Sequence, residues 1–86
     1  MYLNQESQDI IGIFLKEYRN KAGLNQLSVA IKLGYSSPQF ISNWERGLAM
    51  PPLQTMKKLL QIYKIPKKNL IGVLLREIKK SIDAEL

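Results

Sequence analysis

The chain has 86 residues, 45% hydrophobic and 23% charged, which is the balance of a folded globular protein with room for a single domain, residues 1–86. It contains neither cysteine nor histidine, which excludes disulfides and thiolate metal sites and removes the thiol nucleophile and the commonest general base, so we expect no metal, no cofactor and no enzymatic activity. The net charge is +6, and residues 18–76 hold ten Lys or Arg against one acidic residue, Glu45, which favours a polyanionic partner.

Glycine and proline divide the chain into five segments, each with apolar residues near the helical period, and no segment alternates as a strand would. The first helix is predicted over about residues 7–22, with Gly23 after it where a left-handed residue is favoured. Its apolar face is Ile11, Phe14, Leu15, Tyr18 and Ala22. The second helix is predicted to begin after the N-cap Asn25 and to stop at Gly34. Its predicted buried residues are Leu27, Ala30 and Ile31.

The third helix is predicted over residues 38–46, because Pro38 is favoured in a first turn, where its missing N–H is harmless. Ile41 and Trp44 face inward in this helix, with Phe40 beside them. We interpret Trp44 as a core anchor rather than as a residue that stacks on a nucleic-acid base.

The fourth helix is predicted over residues 53–63 and the fifth over about 67–84, separated by a proline. The fifth helix has more aliphatic residues than one buried face needs. The surplus residues, Ile71, Leu75, Ile78 and Ile82, are predicted either to form a dimer interface or to cap the core.

Two short helices joined by a turn that contains Gly34 form a helix-turn-helix, which presents its second helix to the DNA major groove. The motif residues are Gly23-Leu24-Asn25-Gln26, Ala30, Leu33-Gly34, Ile41-Ser42-Asn43-Trp44-Glu45-Arg46-Gly47 and Pro52. With them, residues 10–71 resemble the lambda-repressor/Cro-like (XRE) helix-turn-helix family. The turn at residues 35–38 is one residue longer than the usual family pattern. The resemblance implies an all-α, compact five-helix lambda-repressor-like DNA-binding domain.

Polar side chains occupy the face of the third helix opposite Ile41 and Trp44. Glutamine and asparagine amides match the donor and acceptor of adenine in the major groove, and arginine can grip guanine with two bonds. The resemblance implies that the first turn of this helix and the position of Asn43 meet base edges. The predicted base-reading residues are Ser37, Gln39, Ser42 and Asn43.

The cap of the third helix has two possible assignments. Pro38 favours Ser37 as the N-cap, which would occupy the Ser37 hydroxyl. If Ser36 is the cap instead, Ser36 and Gln39 form a capping box, and the Gln39 side chain turns back to its own backbone.

The resemblance implies that Gln26, with the N–H groups of its helix end, holds a DNA phosphate, and an ordinary solvated glutamine is the alternative. The other phosphate candidates are Arg46, Lys57 and Lys58, followed by Lys64, Lys67 and Lys68. Arg19 and Glu45 resemble a structural ion pair of the family. Such pairing would keep Glu45, the one acidic residue of the basic segment, from repelling phosphate.

These features predict a sequence-specific transcriptional regulator, a repressor or controller that reads an inverted-repeat operator in double-stranded DNA. A homodimer is predicted because one short helix reads few base pairs, and two half-sites about 34 Å apart supply the missing specificity. We expect no small-molecule effector. A phage Cro-like repressor, a restriction-modification controller and an antitoxin all fit.

The alternative function is a protein-interaction module, such as a toxin-neutralising antitoxin, in which DNA binding is secondary and the lysines solvate the surface. A toxin or a polymerase is then a possible partner. The first ten residues lack the basic and apolar regions of a signal peptide, and no stretch approaches the roughly 18 apolar residues of a membrane span. We therefore expect a cytoplasmic bacterial or phage protein without a membrane partner.

Overall fold

The structure is a computed structural model that describes residues 3–85, so residues 1, 2 and 86 of the predicted domain lie outside the described part. The described residues form five α-helices and no strand. They are α1 (Gln5–Lys21), α2 (Gln26–Lys32), α3 (Gln39–Glu45), α4 (Leu53–Ile62) and α5 (Lys67–Glu85). This confirms the predicted all-α, five-helix fold. Within residues 3–85, each helix is too short or too polar to cross a bilayer.

Asparagine side chains begin the first two helices. Asn4 accepts a hydrogen bond from the Ser7 backbone N–H at 2.9 Å, so α1 starts two residues earlier than predicted. Asn25 accepts from the Ser28 N–H at 2.8 Å, as its predicted N-cap role requires. Gly23 follows α1 with a φ of +72°, the left-handed conformation predicted for it.

The core lies around α1, which packs against both α3 and α5. The largest apolar side chains with almost no exposure are Ile11, Leu15, Ile41 and Leu59. Trp44 is buried beside them, which fits a core anchor. The helices that flank α3 therefore fix its inner face, while its outer face is left to other contacts.

The predicted buried face of α2 was wrong at two positions. Leu27 is 50% exposed and Ile31 is 65% exposed, whereas Val29 and Ala30 are fully buried. The inward stripe of this helix runs through positions 26, 29, 30 and 33, so the polar Gln26 takes a place where the sequence suggests an apolar residue. Gln26 donates a hydrogen bond to Glu45 of α3, which satisfies its amide in this partly buried position.

A buried polar cluster joins the start of α1 to the end of α5. The Ser7 hydroxyl donates to Glu77 Oε1 at 3.0 Å, and the Ser81 hydroxyl donates to Ser7 Oγ at 3.0 Å. The Asn4 backbone N–H donates to Ser81 Oγ at 3.2 Å. Ser7, Glu77 and Ser81 are all nearly inaccessible to solvent. This cluster fixes how α5 lies along α1, and periodicity had not singled out any of its members.

Candidate DNA interface

The second helix of the helix-turn-helix, α3, is called the recognition helix below. Its C-terminal end lies so close to the backbone of α1 that a side chain would not fit between them. A Cβ atom placed on Gly12 would come within 2.5 Å of the Trp44 carbonyl oxygen and 2.6 Å of the Glu45 carbonyl oxygen. Only a residue without a side chain allows this approach. Gly12 therefore sets the distance between α1 and the C-terminal end of α3.

A second contact from α1 holds Gly47, the second residue after α3. Gln5 Nε2 donates to the Gly47 carbonyl oxygen at 2.8 Å and to Asp9 Oδ1 at 2.8 Å. Gly47 has a φ of +75° and lies against the Asp9 side chain, leaving no room for a Cβ atom. A signal in the sequence existed for the Gly12 contact, since a glycine inside a helical pattern often marks close packing.

Arg19, Glu45 and Gln26 connect α1, α3 and α2. Arg19 donates to Glu45 through Nε at 2.6 Å and through a terminal nitrogen at 3.0 Å, and both side chains are buried. Gln26 Nε2 donates to Glu45 Oε1 at 3.0 Å. The hydrogen bonds to Glu45, with its charge, raise the pKa of Arg19 despite burial. The pair that the resemblance implied is thus in contact, and Gln26 joins it.

Tyr63 of the loop after α4 lies near this ion pair. Its burial, and then the charge of the Glu45 carboxylate, raise the pKa of Tyr63 well above its usual range. The phenol therefore stays neutral at any physiological pH. Among residues 3–85, the charged side chains buried in this part of the core are Arg19 and Glu45, which compensate each other.

The longer turn before α3 is packed by aromatic rings. Tyr35 lies 4.9 Å from the Phe40 ring and 6.1 Å from the Trp44 ring, measured between centroids. Pro38 is the residue just before the helix and makes no side-chain cap, while Ser37 Oγ accepts a 3.4 Å hydrogen bond from the Gln39 N–H. Packing of the Tyr35 ring against Phe40 and Trp44 thus anchors the turn on α3.

The outer face of α3 carries three of the four predicted base-reading residues. Gln39 is exposed, and Ser42 and Asn43 are half-buried. Arg46, a predicted phosphate contact just after the helix, is exposed. Gln39 Nε2 donates to Asn43 Oδ1 at 2.9 Å, so the Gln39 side chain points along the helix and not back to Ser36. The capping-box alternative is therefore absent from the structure.

The remaining predicted contact residues differ in their surroundings. Ser37, Lys57 and Lys58 are exposed, and Gln26 is half-buried against Glu45. On α5, Ile71, Leu75 and Ile82 are 44%, 62% and 51% exposed, whereas Ile78 is half-buried against the core. Sequence reasoning missed three residues of α1: Gly12, which packs against the end of α3, and Gln5 and Asp9, which contact Gly47 just beyond it.

Two short helices are joined by a turn that contains a glycine. The inner face of the second helix packs on α1, and its outer face is polar. This arrangement defines the helix-turn-helix class of DNA-binding proteins. The family model described as Helix-turn-helix matches residues 15–68, more than half of the chain. The chain therefore belongs to this family, in its XRE or lambda-repressor-like type, and is a DNA-binding regulator. No curated protein matches the chain at a significant level. The matched region ends before the aliphatic stripe of α5.

Proposed function

We propose that the protein is a sequence-specific transcriptional regulator that binds an inverted-repeat operator as a homodimer, with α3 of each subunit in the major groove. In this proposal it is a bacterial or phage protein that acts in the cytoplasm of the bacterial cell. The observation that carries the proposal is the outer face of α3, where two amide side chains stand together on a helix that α1 anchors from behind.

Gln39 and Asn43 act as one reading unit in this proposal. Their mutual hydrogen bond leaves the Gln39 Oε1 acceptor and the Asn43 Nδ2 donors without another partner among residues 3–85. Adenine presents an N7 acceptor beside an N6 donor in the major groove, so the pair complements an A·T base pair. Ser42 and Ser37 add hydroxyls that accept or donate at neighbouring positions.

Phosphate contacts supply most of the binding free energy and fix the register on the duplex. Gln26 uses one Nε2 hydrogen for Glu45, and its second one remains for a phosphate oxygen. Arg46, Lys57 and Lys58 are exposed cations for the same role. Each phosphate neutralised adds about 0.9 to the slope of log K against log salt.

Selection of bound duplexes from random DNA tests the proposal, and an inverted repeat with A·T pairs at matching places in its half-sites is the expected product. Asn43→Ala should then weaken binding by about 1–3 kcal/mol on that site and relax its preference at one position. Gln61→Ala, at an exposed glutamine of α4, is the matched control and should leave affinity unchanged. Recovery of no common sequence would refute specific recognition.

The dimer is proposed to form through the α5 stripe of Ile71, Leu75, Ile78 and Ile82. These residues recur at helical spacing on one face, beside the face that Leu70 and Val73 bury in the core. Leu75→Glu should give a monomer by light scattering. Ile13→Glu, at a similarly exposed aliphatic residue of α1, should leave the dimer intact. A monomeric mass for the unchanged protein at micromolar concentration would remove this part of the proposal.

A protein-interaction module is the second candidate, and exposed apolar side chains favour it. They are Leu27, Ile31, Leu48 and Leu53, each at least half exposed. As an antitoxin or polymerase-binding module, the protein would bind DNA weakly and without sequence preference. The Gln39→Ala, Asn43→Ala double variant separates the two candidates, because it abolishes specific DNA binding in the first and changes little in the second.

A further inference from the structure

A basic groove lies where the C-terminal ends of α1, α2 and α4 meet. Its volume is about 450 Å³, within the range of small-ligand sites. The side chains that define it are Tyr18, Lys21, Leu24, Lys32, Ile62 and Lys64. None of them belongs to the predicted base-reading set, and Lys64 is the one that was also a phosphate candidate.

The charge of the groove is of one sign. Lys21, Lys32 and Lys64 line it, and no lining residue is acidic. None of the three lysines has a carboxylate oxygen within 4.0 Å among residues 3–85. Glu45 does not neutralise them, because the buried Arg19 side chain already compensates its charge.

Helix ends explain part of this charge, since cations near a helix C-terminus interact well with its dipole. They do not explain why the backbone of Lys64 has a positive φ. The residues after α1, α2 and α3 that have positive φ are Gly23, Gly34 and Gly47, whereas after α4 it is Lys64, with a φ of +55°. A side chain is disfavoured there. A cation one residue away would serve the helix dipole equally well, so this placement points to a use for the ammonium group in the groove.

Apolar surface completes the groove. Leu24 and Ile62 are half-buried along it, and the Tyr18 ring carries the Lys21 ammonium 4.9 Å from its centroid. Cations beside apolar and aromatic walls suit a ligand with a carbon body and several negative charges.

We propose that this groove binds a small organic anion carrying two or more phosphate or carboxylate charges. Lys21, Lys32 and Lys64 hold the anionic groups, and Leu24, Ile62 and the Tyr18 ring contact the carbon body. Such an anion would contact α1, α2 and α4 together, and its binding would run against our expectation from sequence that no small-molecule effector binds.

Titration of the full chain by two-dimensional amide NMR at constant ionic strength tests the site, with pyrophosphate, citrate and ADP as probes. Saturable shifts confined to the groove are expected below about 10 mM for at least one probe. Lys64→Gly removes the cation and relieves the positive φ, so the variant should fold at least as stably and yet lose about tenfold in affinity. Lys16→Gln, an exposed charge outside the groove, is the matched control and should bind as the unchanged protein does.

Three outcomes would overturn the proposal. One is the absence of saturable groove shifts with every probe. Another is an equal loss of affinity in Lys64→Gly and Lys16→Gln, which would indicate general charge screening. The third is a lower salt slope of DNA binding in Lys64→Gly, which would assign the groove to phosphates of the DNA backbone.

Discussion

Glu45 and Glu77 are both buried carboxylates, but their partners differ. Glu45 receives two hydrogen bonds from a buried arginine and one from Gln26. Glu77 receives one from buried Ser7, and its cations, Arg76 and Lys80, have side chains that are 62% and 48% exposed. A buried charge depends strongly on a buried counter-charge, whereas exposed cations are screened by water and salt. The Arg19–Glu45 pair should therefore cost more to break than the contacts of Glu77.

The largest effect is expected for Arg19→Met. This change leaves Glu45 without its buried counter-charge and should lower the free energy of unfolding by about 3–5 kcal/mol in urea denaturation. Adding Glu45→Met should recover much of the loss, because the unpaired charge is then gone. A loss below about 1 kcal/mol for the single variant would show that water or Gln26 compensates Glu45, and the contrast with Glu77 would fail.

The close approach of α1 to α3 is tested by Gly12→Ala. Its Cβ atom would lie 2.5 Å from the Trp44 carbonyl oxygen, so we expect a loss of about 1–3 kcal/mol and weaker DNA binding as α3 shifts. Gly72→Ala is the matched control in α5, where a Cβ atom meets nothing within 4 Å. That variant should gain about 0.5–1 kcal/mol from helix propensity, and equal signs for the two changes would contradict the packing argument.

The Glu77 cluster is tested by Ser7→Ala, which removes a donor to Glu77 and the acceptor of Ser81. Its expected cost is about 1–2 kcal/mol in thermal or urea unfolding, less than for Arg19→Met. Arg76→Gln should cost under about 1 kcal/mol, because that cation is mostly exposed. If Arg76→Gln proves the costlier of the two, the exposed cation rather than the hydroxyl holds Glu77.

The smallest effect is expected from pH. Burial raises the pKa of Glu77, but hydrogen bonds from Arg76, Ser7 and Lys80 outweigh it, so the net pKa lies below the usual value of 4.5. A lowered folded-state pKa stabilises the protein above the usual value, and this stabilisation is lost as pH falls through the lowered one. The stability difference between the unchanged protein and Glu77→Gln should thus shrink from about pH 6 to about pH 3. A stability difference that grows as the pH falls would contradict a lowered pKa for Glu77.

Local patterns were sufficient for the helices, because each depends on residues a few positions apart. Asn25 as a cap and Gly23 in a left-handed conformation were predictable for this reason. The buried face of α2 was not predictable from local pattern. Gln26 faces inward because Glu45, 19 residues away in the chain, accepts its hydrogen bond. For Glu45 itself, a family resemblance supplied the partner that local pattern could not.

Glu77 shows the limit most clearly. By sequence it was one of several acidic residues near the chain ends, where carboxylates are usually solvated. In the structure it is inaccessible and bonded to a serine 70 positions earlier in the chain. No periodicity signals a contact over such a separation.

The amino-acid sequence by itself determined the five helices, the inner side of α3 and the basic character of the middle of the chain, because periodicity, caps and charge are local properties. The tertiary structure decided which distant polar groups meet, apart from the Arg19–Glu45 pair that the family resemblance implied. Gln26 with Glu45 and Ser7 with Glu77 are examples, and the packing of Gly12 against α3 was decided in the same way. These contacts depend on helix packing distances and on rotamers, which residue types constrain only after the helices have come together.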